Sequence, residues 1–547
     1  MKDTSIHLES LSPKLARKRD AIGLHLAPGY NELIAQLSQD KLLDKNWLVS
    51  GIFSRDNNLS LLFERICKIR LVLELKKELK EQNIKFTTQD KPLYKVLKPQ
   101  CNITYKRQSL WKKPAAFIAL VFLLRSFLYL SFRAFGKRKS HIKDQEIFLI
   151  ETFITKNSFD AKGEFRDLYF PGLEPKNNSK EKTVFLPAFY KIRNIPRFFH
   201  LARNSHKPFL LVDDFLKMQD YWQAWIHPFL LKKHQFKNVH FDDICITSLV
   251  NEELRISRAS LSSSIALLNK VFSRRLALSN NKVKGLISWY ENQIISKGLI
   301  AGIKEQYPDA DIKGYQDLYP PSLLNPGAFL SSLEIEARCA PCEILTIGPI
   351  HTQLAQRFQT EVPCKPITSL RRDPSAGPTA LKSQKKRLLL PLPLCPKMSK
   401  ELINFAKELM KITRAHNKEY HLRLCPHPAQ NASLFKKDTS LDFSQKGFKK
   451  ELKKATIVIS AGSTTLLEGL AQGIPSIAIG DLQSLTKTPI SEDFFPNLYK
   501  ICYSPQEAYN EICHFEGLVL HDEERRNLED ELFYTSGNKT LHNIITQ

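Results

Sequence analysis

From about residue 146 onward the chain alternates short apolar runs with helix-period stretches, and nothing else in it restricts the fold as much. EIFLIETF, KTVFLPAF, KPFLLVDDF, VKGLISWYEN, ADIKGYQ and EILTIGP are apolar runs that give way to polar residues, with helical stretches between them. Strands alternating with helices predict parallel βαβ units, because a parallel neighbour is reached only by crossing over the sheet. Residues 366–387, PITSLRRDPSAGPTALKSQKKR, interrupt the pattern with Pro, Ser, Gly and Lys and read as a linker. A second series follows: RLLLPLPL, HLRLC, ATIVIS and SIAIG as strands, with KELINFAKELMKITRAH as a helix. The expected organisation is a mainly helical region over 1–140, an α/β domain over 146–350, a linker over 351–386 and a second α/β domain over 387–547.

Composition narrows the class. Of 547 residues, 42% are hydrophobic and 25% charged, which excludes a disordered chain, a collagen-like fibre and a polytopic membrane protein. Lys and Arg number 81 against 56 Asp and Glu, a net charge of +25. Such a field favours nucleic acid, anionic lipid or phosphorylated partners without choosing among them. Ten cysteines in this length do not make a disulfide scaffold, and reduced thiols are expected. MKDTSIHLES has no basic segment leading into an apolar one, so no secretory leader is expected.

The one long apolar stretch, 115–135, reads AAFIALVFLLRSFLYLSFRAF and has Lys112, Lys113, Lys137, Arg138 and Lys139 on its flanks. Its length suits a bilayer span, but Arg125 at its centre costs about 2.5–3.5 kcal/mol there. Arg125, Tyr129 and Arg133 share one helical face. A helix lying in the membrane interface with its cations at the headgroups fits this pattern. The alternatives are a core helix whose Arg finds a carboxylate, and a true span. The flanking cations are not interleaved with aromatics for base stacking, so no nucleic-acid partner is expected.

Two motifs carry chemistry. In ATIVISAGSTTLLEGLAQGIPSIAIG, residues 455–480, a buried strand ends in an Ala461-Gly462 turn, Ser463 caps a helix over 464–472, and Gly473 and Pro475 stop it. A Gly turn feeding Ser463, Thr464 and Thr465 into a helix start makes an anion site, and three hydroxyls exceed what capping requires. Glu468, one turn further in, is within reach of a nucleotide's sugar hydroxyl. The second motif is Cys425-Pro426-His427-Pro428, directly after the strand HLRLC. His427 between prolines is rigidly held and can donate to a phosphate oxygen or move a proton. The plain alternatives are a capped helix and a loop histidine.

Together these residues resemble bacterial GT-B glycosyltransferases that use CMP- or CDP-activated donors, such as sialyl-, polysialyl-, Kdo- and polyol-phosphate-transferase-like enzymes. The stretches ETFITKNSFDAKGEFRDLYFPGL, WYENQIISKGLIAGI and IKGYQ are similar to surface-carbohydrate (capsule or lipopolysaccharide) biosynthesis proteins, so the resemblance covers about residues 146–480. It implies two Rossmann-like domains facing a cleft. It also implies donor phosphate held by His427, Pro428, Gly462, Ser463, Thr464 and Thr465. Such transferases often carry an acidic-acidic-Gly motif, whereas here Asp213-Asp214 is followed by Phe215. Sugar transfer needs a carboxylate to take the acceptor proton. Glu291, after LISWY, matches the family pattern, and Asp213, after PFLLV, is the second candidate. Glu291 alternatively caps a helix, and Gln316 and His351 are candidates for the same cleft.

Cys339-Ala-Pro-Cys342 is a lone CxxC, and there is no GK[ST] loop, no GxGxxG after a strand and no DxD-like pair. No cofactor or essential metal is therefore expected. The resulting expectation is a peripheral enzyme on the cytoplasmic face of the inner membrane, with a nucleotide-activated sugar as donor and an anionic glycolipid or glycan as acceptor. A polyol-phosphate transferase, a sugar epimerase, a non-catalytic membrane-docked scaffold and, last, a basic nucleic-acid binder are the alternatives.

Overall fold

The computed structural model describes residues 4–535, except 43, 80–83, 107–114, 140–141, 172, 174–180, 191, 193, 232–233, 258–259, 321, 372–385, 429–441 and 519. Strands β1 (Thr4–His7), β2 (Ile84–Thr88) and β3 (Ile103–Tyr105) form a small parallel sheet among the helices of the N-terminal region. The region is thus less purely helical than its sequence suggests. Strands of three to five residues are too short to display a period-2 pattern.

The next strands are β4 (Glu146–Ile154) and β5 (Glu181–Phe189), a two-residue hairpin pair β6 (His240–Phe241) and β7 (Ile244–Cys245), then β8 (Lys282–Trp289), β9 (Asp311–Gln316), β10 (Glu343–Thr346) and β11 (Cys364–Pro366). Six of them make a parallel sheet in the order β11-β10-β9-β8-β4-β5. KPFLLVDDF is not a full strand. A single bridge, Phe185 to Phe209, attaches it beyond β5, and Val212–Asp214 turns into a 3-10 helix. Counting that bridge, the order is that of a doubly wound dinucleotide-binding sheet.

The second domain repeats this plan. Strands β12 (Arg387–Pro391), β13 (His421–Cys425), β14 (Ile457–Ser460), β15 (Ser476–Ile479) and β16 (Tyr499–Cys502) lie parallel in the order β13-β12-β14-β15-β16. A bridge from Leu424 to Phe443 again stands in for the strand beyond β13. Both faces are covered. Leu388 and Leu390 pack with Leu402 and Ala406 on one side, while Leu389 packs with Leu466 and Leu467 on the other. Burial on both faces explains why these strands read as unbroken apolar runs.

Two boundaries differ from expectation. The helix Pro349–Ala355 runs into the stretch read as a linker and β11 falls inside it, yet both pack onto the first sheet. The linker's core, 372–385, lies outside the described residues. The helix Asp522–Phe533, assigned by sequence to the second domain, returns to the first, where Gly348 abuts the Leu532 backbone and Tyr319 donates to the Leu532 carbonyl at 2.9 Å.

The apolar stretch forms the helix Ala115–Gly136. Among the described residues no helix is long and apolar enough to cross a membrane. Arg133 does not reach outward with Arg125. It is buried and makes a bidentate pair with Asp213, whereas Arg125 is exposed and Tyr129 half-buried. Only one face of the C-terminal half is therefore buried, through Ser126, Leu130, Arg133 and Ala134, while Phe127, Leu128, Phe132 and Phe135 of the same half are exposed. Burying the guanidinium is tolerable because the carboxylate accepts bidentately from its Nε and Nη2.

Candidate functional site

The carboxyl edges of the two sheets face each other. Leu323, in the loop after β9, donates its N–H to Thr488 O at 2.8 Å, and Ser322 Oγ donates to Thr486 O at 3.1 Å. Both acceptors lie in the loop after β15. The N-terminal region walls this junction. In its helix Pro13–Ser38, Arg19 donates to Asp481 O at 2.7 Å, and Asp20 accepts from Tyr503 Oη at 2.8 Å. Open α/β sheets bind ligands outside the carboxyl ends of strands where the strand order reverses. In the second domain that point lies between β12 and β14.

A cleft of about 190 Å³ opens at the same carboxyl edge, over the ends of β14, β15 and β16, lined by Met398 and Phe405 from the helix Pro396–Ala415, by Ala461 and Gly462 after β14, by Asp481 and Lys487 after β15, and by Tyr503 after β16. Gly462 turns with φ of +59°, and a Cβ on it would meet Lys487 Cβ at 2.8 Å. A side chain there is both strained and obstructed. Lys487 is half-buried and has no ion-pair partner among the described residues. This cation was missed in the sequence because it lies 25 positions beyond Gly462, in a loop with no motif.

The hydroxyl run sits at the same edge. Ser463 Oγ accepts from Thr465 N at 3.3 Å, and the Ser463 and Thr465 hydroxyls are 2.7 Å apart. The helix is shorter than expected, Thr465–Leu470, with Thr464 as its cap residue. Two of the three hydroxyls therefore already bond each other within the turn. Glu468 is half-buried in this helix. His427 is half-buried two residues past β13 and Pro428 is exposed beside it. Since β13 neighbours β12 and β12 neighbours β14, the motifs share one edge about two strand spacings, or roughly 10 Å, apart.

On the facing edge Glu291 follows β8, half-buried, accepting from Trp289 Nε1 at 2.8 Å and Gln293 Nε2 at 2.6 Å. It does not begin a helix. The next one starts at Ile294 with Gln293 as cap. Asp213, the second base candidate, is 1% exposed and also accepts from Tyr221 Oη at 2.7 Å. With Arg133 on both its oxygens it is a strut between helices, closed to an acceptor. His351 is likewise away from open space: it is buried, stacked on Tyr319 at 4.5 Å, and burial pushes its pKa down to about 3, so it stays neutral. Gln316 ends β9, buried, and its Oε1 has no hydrogen-bond partner among the described residues.

Two carboxyls missed in the sequence stand at this edge. Glu151 of β4 is buried opposite Ser288 of β8, at the point where the first sheet reverses, and accepts the Ser288 hydroxyl. Burial pushes its pKa up to about 7, with Ser288 opposing. Asp317, just past β9, accepts from Tyr315 Oη at 2.8 Å, and burial raises it to about 6. Both hide inside apolar strand text, where a single acid reads as a strand's polar end. Among the described residues no group of three or more His, Cys, Asp or Glu is arranged to hold a metal ion.

No known family profile matches the chain, and no curated protein matches it. Solved structures similar to it include a UDP-N-acetylglucosamine 2-epimerase from Listeria monocytogenes, 9% identical over 74% of this chain and 95% of that one, with a TM-score of 0.40. A UDP co-structure of MnaA from S. aureus is 8% identical over 74% and 95%, at 0.39. The glycotransferase of kitacinnamycin is 13% identical over 87% and 94%, at 0.32. Superpositions this loose add nothing to what strand order and facing edges already establish: two doubly wound domains across a cleft.

Proposed function

We propose that the chain is a metal-independent glycosyltransferase of GT-B type. It takes a nucleotide-activated sugar, with CMP or CDP favoured, at the carboxyl edge of the second sheet. It passes the sugar to an anionic glycan or glycolipid at the cytoplasmic face of the inner membrane. The observation carrying the reading is Lys487, a cation without an ion-pair partner among the described residues, over the Gly462 turn in a cleft at the carboxyl edge of the second sheet. In this reading Lys487, Thr464 and His427 meet the donor's phosphate oxygens and neutralise the charge left on the departing nucleotide. Glu291, on the facing edge, accepts the proton of the attacking hydroxyl. The positive excess of the whole chain suits both an anionic acceptor and an anionic surface.

A thermal-shift screen with CMP, CDP, UDP, GDP and ADP tests the donor site. A nucleotide at about a hundred times its Kd should stabilise the fold by roughly 2.7 kcal/mol. Cytidine nucleotides are expected to raise the melting point, and Lys487→Ala to abolish the rise while leaving the unliganded melting point close to that of the wild type. A response to none of the five nucleotides defeats the donor site, and preference for UDP changes the donor.

A further inference from the structure

We infer that the helices Ala115–Gly136 and Met218–Leu230 form one rigid platform that docks flat on an anionic lipid bilayer. This deepens the membrane-surface reading above and stands independently of the transfer chemistry.

The first helix is packed inside out. Ser126, Leu130, Arg133 and Ala134 face the protein, while Leu120, Val121, Leu124, Phe127, Leu128, Phe132 and Phe135 are exposed, Phe135 by 83%. A helix on a soluble domain ordinarily turns its apolar stripe to the core. Here the core-facing side carries the ion pair and the solvent side the large apolar groups. The second helix adds exposed Met218, Trp222 and Phe229. The two are stitched together, because Arg133 of one and Tyr221 of the other both bond Asp213. Phe127 meets Trp225 edge-on at 5.4 Å, and Trp222 lies 5.0 Å from Trp225. The exposed apolar groups thus belong to one surface with fixed geometry, and a patch of this kind marks an interaction site.

The charges select the occupant. Arg125, Arg138, Lys139 and Lys217 are exposed around this surface. The only carboxylate on either helix is Asp220, which is buried and paired with Arg275 at 2.8 Å. Apolar and aromatic groups rimmed by cations, with no exposed acid on either helix, complement the boundary between acyl chains and anionic headgroups. The first helix lies along the surface rather than across it. It packs against the helices Ile195–Arg203 and Met218–Leu230, and Gly136 abuts the Phe199 ring.

Flotation of the full chain with phosphatidylcholine vesicles, with and without phosphatidylglycerol, tests the platform. The chain should float with the anionic vesicles at least about tenfold better than with neutral ones, and lose this in high salt. Tryptophan emission should shift to the blue on binding, and Trp222→Phe should remove most of the shift. Leu128→Asp with Phe132→Asp should cut flotation about tenfold, with melting point and nucleotide response unchanged; both positions are over half exposed, so the fold is spared. Two results overturn the inference: no flotation with either vesicle, or a wild-type oligomer that the double variant dissociates while vesicle binding stays unaltered. The nucleotide response is read separately, so failure here is distinct from failure of the donor site.

Discussion

Glu151 shows how one buried side chain ties stability to pH. Its carboxyl ordinarily titrates near 4.5 and is raised to about 7 in the fold. Between these values the folded chain holds a proton that the unfolded chain has released. Stability therefore falls as pH rises across that window and levels off above it. A shift of this size corresponds to about 3 kcal/mol. Glu151→Gln, which keeps an oxygen for Ser288, should leave the melting point unchanged at pH 5 and raise it at pH 8. Equal melting points at pH 8 would show that Glu151 is ionised at no cost. The sequence displays EIFLIETF as a strand, but it does not show that Glu151 lies on a central strand beneath covering helices. The same limit applies to Asp213. It looks like a free acid at a strand end until Arg133, 80 positions away, is found on it.

At the scale of elements, the first sheet domain depends on a close helix crossing. Gly298 and Gly302 of the helix Ile294–Gln306 lie against the backbone of the helix Leu261–Ala277; a Cβ at Gly298 would stand 2.2 Å from Ala266 O. Neither helix can move off without opening the core beneath Leu299 and Ile300. Gly298→Ala, otherwise favourable in a helix, should here destabilise by about 1–3 kcal/mol through overpacking. Differential scanning calorimetry checks it, and a variant as stable as wild type would mean the helices can separate freely. Because this helix follows Glu291 by three residues, the variant should also disturb the loop that carries it. Helices with strong apolar periods were legible, as in KELINFAKELMKITRAH. The third strand misleads in both domains: KPFLLVDDF reads as a strand but forms a single bridge at Phe209, and the segment bridging Leu424 at Phe443 carries no alternation to read.

Across the whole molecule, a buried charge cluster fastens the N-terminal region to the first sheet domain. Glu334 accepts from Lys297 Nζ and Ser331 Oγ, both at 2.8 Å, and pairs with Arg55 of the N-terminal region, with all three charged side chains fully buried. Burial pushes the Glu334 pKa up, but Arg55 and Lys297 outweigh it and hold the group near 2. The cluster is therefore intact above the usual carboxylate range and fails only as pH drops toward 2. Glu334→Ala strands two buried cations and should cost about 3–5 kcal/mol. Limited proteolysis should then cut faster within residues 4–106, and an unchanged pattern would mean that other contacts hold the region. Since that region also walls the cleft through Arg19 and Asp20, loosening it should weaken nucleotide response as well.

By itself the sequence determined the layered α/β architecture and the strand-end positions of both motifs, because hydrophobic period and Gly, Pro and Ser punctuation act over a few neighbours. Tertiary structure alone decided which acids are struts and which sit at the facing edges, that Lys487 overlies Gly462, and that the greasy helix turns its apolar side outward. Each of these depends on which distant segment lies alongside, and burial and charge pairing are set by those neighbours in space rather than along the chain.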